Sequence, residues 1–142
     1  MSNGIDCLNG LLRGEISAVE TYNVALKSLH SPELASTLQQ CQTDHNTRVL
    51  QLRQKLASLG AEPTDSSGTW GAFARFMEST AAASGDKPSI AMLEEGEDHG
   101  LQAYRSGIDK CDDGDIRIFI KDLLPAQERT HEKMSTLKRE LN

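Results

Sequence analysis

The spacing of apolar residues constrains this chain most. Four long segments carry them at alternating steps of three and four, the seam of a helix packed in a bundle. The first runs from Ile5 to Leu29, with Ile5, Leu8, Leu12, Val19, Tyr22, Leu26 and Leu29 in its seam and Glu15 in the one slot left between Leu12 and Val19. The second runs from Pro32 to Leu59 through Leu34, Leu38, Cys41, His45, Val49, Leu52, Leu56 and Leu59. Ser31 suits its N-cap, Pro32 its first turn and Gly60 its stop. The third, Lys87 to Asp109, reads Ile90, Leu93, Glu97, Leu101, Tyr104 and Ile108. The fourth, Asp115 to Leu141, reads Ile116, Ile120, Leu124, Glu128, His131, Met134, Leu137 and Leu141, and Pro125 is expected to kink it.

The connections fix the topology. The turn at His30–Pro32 makes the first two helices antiparallel neighbours, and the one at Cys111–Gly114 does the same for the last two. Between them lies a stretch of about 25 residues, with a short helix expected over Thr69 to Ala83. A connection that long can travel the length of a bundle, so the second and third helices are expected to run parallel, as in ferritin-like bundles. The expected fold is all-α: one four-helix domain over residues 1–142 with a long crossover.

Polar residues interrupt the seams at matched places. An offset of 82 residues relates the first helix to the third, pairing Glu15 with Glu97 and Tyr22 with Tyr104. An offset of 86 pairs the second with the fourth, matching Gln42 with Glu128 and His45 with His131. The pattern reads as two copies of a helical hairpin. Glu15, His45, Glu97, Glu128 and His131 then fall at one level of the interior. Three carboxylates in a dry core repel one another unless protons, hydrogen bonds or a cation neutralise them. Carboxylate and imidazole ligands suit iron, with manganese or zinc as alternatives. Glu94, one turn before Glu97, is a candidate further ligand. Tyr22 and Tyr104 are placed either to hydrogen-bond the carboxylates or to reach a backbone carbonyl as core tyrosines. His99, Asp98, Glu20 and His30 read as surface.

These residues resemble a known group. Gly14-Glu15 with Tyr22, Gly96-Glu97 with Tyr104, and Glu128-x-x-His131 are similar to rubrerythrin and bacterioferritin, the di-iron carboxylate bundles. Over nearly its full length the chain resembles an uncharacterised bacterial family of ferritin-like domains. That likeness is carried by Ser66-Ser67-Gly68-Thr69-Trp70-Gly71, Leu93 through Leu101, and Leu123-Leu124-Pro125 through His131. The resemblance implies metal ligands at Glu15, His45, Glu97, Glu128 and His131. It also implies non-haem iron, mononuclear or dinuclear, with oxidase or peroxide-related chemistry. Gln42, also a candidate ligand, departs from the pattern, standing where those families place a glutamate.

Composition excludes other classes. A net charge of −6 argues against nucleic acid as a partner, and no apolar run is long enough to span a membrane. Met1 to Gly10 lacks the layout of a secretory signal, so a cytoplasmic protein is expected. Cys7, Cys41 and Cys111 are odd in number, far apart and without a CxxC spacing, and read as reduced thiols. Metal ions and further copies of the chain are the expected partners. Two other readings stand beside the metalloprotein: a non-enzymatic helical scaffold with a degenerate metal site, and an iron-storing cage.

Overall fold

The structure is a computed structural model that describes residues 2–68 and 85–142. Four helices form the bundle: α1 (Gly4–Ser28), α2 (Pro32–Ser58), α3 (Asp86–Lys110) and α4 (Gly114–Leu141). Their limits fall within a residue of those read from the seams. Ser31 caps α2, its hydroxyl accepting from the Leu34 amide, and Asp113 caps α4 by accepting from the Ile116 amide. The α4 helix continues unbroken through Pro125. The short helix expected over Thr69 to Ala83 lies outside the described residues.

Hydrogen bonds fix the directions. Asn3, just before α1, exchanges bonds with Asp112 and donates to the Lys110 carbonyl at the end of α3. At the other end the His30 amide donates to Asp86, where α3 begins. Thus α1 and α3 are antiparallel. Because α1 is also antiparallel to α2, helices α2 and α3 run parallel, and the segment 59–85 joins opposite ends of the bundle. Its first part lies against α1, where Asn9 bonds the backbone of Glu62 and Thr64. This is the ferritin-like arrangement. Among the described residues, no helix is long and apolar enough to cross a membrane.

The core is two apolar clusters with a polar layer between them. One gathers Leu8, Leu12, Leu52, Leu56, Ile116 and Ile120, and the other Ala25, Leu38, Ile90, Leu93 and Met134. In α4 the buried series is Ile116, Ile120, Leu123, Gln127, Thr130 and Met134, which corrects the expected series through Leu124, Glu128 and His131. The adjacent leucines Leu123 and Leu124 permit a step of three or of four after Ile120. Burial selects three, and the next turns rotate by one residue. Leu34, Leu137 and Leu141 are only partly buried, and Leu59 is exposed.

Registers one residue apart separate cleanly by stability. Leu123→Ala is expected to cost about 2–5 kcal/mol. Glu128→Ala should change stability by less than about 0.5 kcal/mol. Urea unfolding of both variants checks the register of α4.

Candidate functional site

The polar layer is built from all four helices. Glu15 comes from α1, His45 and Arg48 from α2, Glu97 from α3, and Gln127 and Thr130 from α4, and all six are at most 3% exposed. The His45 ring lies between the two carboxylates: Nδ1 is 2.5 Å from Glu15 Oε1 and Nε2 is 2.7 Å from Glu97 Oε2. Arg48 Nε donates to Glu15 Oε2 at 2.6 Å, and its Nη2 donates to Gln127 Oε1 at 2.9 Å. Gln127 Nε2 in turn donates to both the backbone carbonyl and Oε1 of Glu97, each at 2.9 Å. The Thr130 hydroxyl donates to that same Oε1 at 2.9 Å.

The tyrosines cross between the halves of the chain. Tyr22 of α1 donates to Glu97 of α3 at 2.6 Å, and Tyr104 of α3 donates to Glu15 of α1 at 2.5 Å. The reciprocal pair follows from two antiparallel helices that each carry Glu and Tyr seven residues apart. Of the two roles open to them, both tyrosines bond carboxylates. A close approach at Gly100 completes the layer. A Cβ there would sit 2.8 Å from Gln127 Nε2, so only glycine leaves that amide its place on Glu97.

Charges in the layer balance. Burial pushes the Glu15 carboxyl up, but the charges of His45 and Arg48 and the bonds from His45 and Tyr104 bring it down to about 2. Burial lowers His45, yet the charges of Glu97 and Glu15 and their hydrogen bonds raise it to about 9. Glu97 is held below its ordinary value against its own burial, chiefly by the charge of His45. Among the described residues, the layer near neutral pH therefore holds two carboxylates, an imidazolium and a guanidinium, charges that sum to zero. Both His45 ring nitrogens then donate to carboxylates, so the 2.7 Å approach of Arg48 Nη2 to His45 Nδ1 is a contact between two donors, not a bond. Arg48 Nη1 is buried and makes no hydrogen bond among the described residues. A cavity of about 30 Å³ between α1 and α3 touches the layer at Glu15, His45, Glu97 and Gln127, with room for about one water.

The residues expected to ligate a metal separate into two groups. Glu15, His45 and Glu97 meet at one level, as the seams indicated. Glu128 is corrected to the surface, and Gln127 occupies the inward slot. His131 is corrected to the rim. It is 21% exposed, its Nε2 lying 3.3 Å from Asp98 Oδ1 and 3.9 Å from Glu94 Oε2. Glu94 is partly buried there, and Lys138 Nζ lies 3.2 Å from its Oε1. Gln42 lies away from the layer, donating to the Val19 carbonyl and to Asn23. Glu94, Asp98 and His131 bring three ligand atoms within 4.8 Å of one another. Asp98, His99, Glu20 and His30 are exposed, as read.

Gln127 and Thr130 are members of the layer that the seams do not reveal, and so is Arg48. It sits next to Val49 in α2 and three residues after His45, a spacing that puts it on the same face as the imidazole. An arginine reads as surface by composition, and only a count of buried charges asks for one inside. The offset between α2 and α4 is also corrected. Burial pairs Leu38 with Ile120, His45 with Gln127, Arg48 with Thr130 and Leu52 with Met134, an offset of 82 shared with α1 and α3.

A family model described as domain of unknown function (DUF2383) matches residues 3–110. No curated protein matches the chain. A crystal structure described as ferritin like, diiron-carboxylate proteins from Bacillus anthracis str. Ames is similar, with a TM-score of 0.73 over 96% of this chain and 95% of that one, at 16% identity. At that identity the likeness is one of fold.

Di-metal carboxylate bundles place one Glu on each of two helices and Glu-x-x-His on each of the other two. Here Glu15 and Glu97 fill the single-Glu positions. The paired positions hold His45-x-x-Arg48 and Gln127-x-x-Thr130. Two carboxylates and one imidazole remain. The imidazole is bonded on both sides, and a guanidinium lies among them. This donor set does not fit a di-iron centre.

Removing one charge leaves its partner bare. Arg48→Met is expected to cost about 3–5 kcal/mol. Adding Glu15→Gln should recover part of that loss in a double-mutant cycle of thermal unfolding. The pH dependence follows from the same charges. The contribution of His45 is whole below its ordinary 6.5 and lost as pH rises through about 9. That of Glu15 is whole above its ordinary 4.5 and lost as pH falls through about 2. Thermal scans should find Tm highest between pH 4.5 and 6.5 and declining on both sides.

Proposed function

The chain belongs to the family described as domain of unknown function (DUF2383), and from that premise we propose that it is a non-enzymatic, ferritin-like helical scaffold. An internal ion cluster takes the place of a metal centre in this reading. The observation that carries it is Arg48, buried and bonded to Glu15 beside a protonated His45. With charge already balanced, a divalent cation entering the layer would meet two resident cations. It would also have to break the hydrogen bonds that satisfy both carboxylates. The 30 Å³ cavity that reaches the layer has room for about one water. The expected result is less than about a tenth of an equivalent of iron, manganese or zinc in the layer after anaerobic reconstitution, with Tm unchanged by a chelator. Retention of a full equivalent, lost on Glu15→Gln, would contradict the reading.

One observation favours a second reading, a metal site of non-haem type at the rim. Glu94, Asp98 and His131 present two carboxylates and an imidazole at ligand spacing, donors that suit iron, manganese or zinc. The structural neighbour described as di-iron carboxylate has the same fold. Lys138 competes for Glu94 in this arrangement. Metal that is bound by the native protein and released by His131→Ala, with Arg48→Met leaving it in place, would establish the rim site.

A further inference from the structure

Two of the three cysteines, distant in sequence, come together at one end of the bundle. Cys7 lies in the first turn of α1, its amide bonded to the Asn3 carbonyl. Cys111 is the residue that ends α3. Asn3 and Asp112 clamp these two places through a reciprocal pair of backbone-to-side-chain bonds, each 2.9 Å. Asn3 Nδ2 adds a bond to the Lys110 carbonyl at 2.9 Å. Cys7 packs against the apolar cluster that contains Cys111. All three cysteines are free thiols. Cys41 lies in the other apolar cluster.

We propose that Cys7 and Cys111 are a redox-active dithiol that closes to an intramolecular disulfide when it meets a small organic disulfide. Exposure sets the order of events. Cys7 is partly exposed and Cys111 is buried, so Cys7 is the sulfur that meets the reagent. The Cys7 thiolate attacks one sulfur of the organic disulfide, forming a mixed disulfide and expelling one thiolate. Cys111 loses its proton and attacks the Cys7 sulfur. The Cys7–Cys111 bond forms, and the second small thiolate leaves. Two protein thiols are oxidised, one organic disulfide is reduced to two thiols, and the two protons go to those thiols. Burial holds the Cys7 thiol above its ordinary value, with Cys111, Asp112 and Asp6 adding to the effect, so the first step is slow at neutral pH.

The bond would tie the start of α1 to the turn between α3 and α4, closing a loop that contains most of the chain. Such a loop restricts the unfolded chain strongly, and Tm is expected to rise by roughly 10 °C on oxidation. The experiment treats the full chain with glutathione disulfide and follows intact mass, peptide map and Tm. The expected result is a loss of about 2 Da, a Cys7–Cys111 cross-linked peptide, the rise in Tm, and reversal of all three by a reducing thiol. Cys7→Ser should abolish closure, and Cys41→Ser should leave it intact. Cys7→Ser replaces a partly exposed thiol, so its fold is checked by the Tm of the reduced protein. A glutathione adduct that persists on Cys7, a bridge to Cys41, or dimers linked through Cys7 would each overturn the proposal.

Discussion

Two buried carboxylates set the terms for this bundle. Each ionised carboxylate in a dry interior costs several kcal/mol unless it is paired and hydrogen-bonded. Here the pairing is internal. Glu15 accepts from His45, Arg48 and Tyr104, and Glu97 accepts from His45, Tyr22, Gln127 and Thr130. Every helix contributes at least one member, so each has a single height at which its polar residues find their partners. Sliding any helix by one turn would place a charge against leucine. The cluster therefore acts on register. Its net gain in stability is small, because desolvation of the ions offsets most of their attraction.

The two helical hairpins of the bundle match each other at equivalent buried positions and differ at the centre. The offset of 82 holds across all four helices, and the crossed tyrosine–glutamate bonds are its chemical signature. The first half supplies both cations, His45 and Arg48. The second supplies neutral Gln127 and Thr130 in the equivalent places. A symmetric centre with four cations would carry excess positive charge, and one with none would leave both glutamates bare. The asymmetric pairing is the neutral solution.

Much of this was legible in the chain. Seam spacing located all four helices to within a residue, and the length of the middle connection gave the parallel course of α2 and α3. Glu15, His45, Glu97 and both tyrosines were correctly placed inside, because each fills a slot in an otherwise apolar series. Two things were not legible. The step after Ile120 is ambiguous where two leucines are adjacent, and the seam read through Leu124 takes the wrong one. That turned Glu128 and His131 inward and hid Gln127 and Thr130. Arg48 was hidden because its partner lies 33 residues away on another helix. A charge looks exposed until its counterion is placed. The placing of Cys7 and Cys111 at one apolar cluster is of the same kind, set by antiparallel packing and not by spacing.

The protonation state of His45 tests the central claim most directly. Nitrogen-15 NMR of the imidazole at neutral pH should show both ring nitrogens protonated, with titration near pH 9. The spectrum should not change when ferrous iron or zinc is added. A neutral ring at that pH, or a resonance that shifts on metal addition, would contradict an interior neutralised by the chain's own cations.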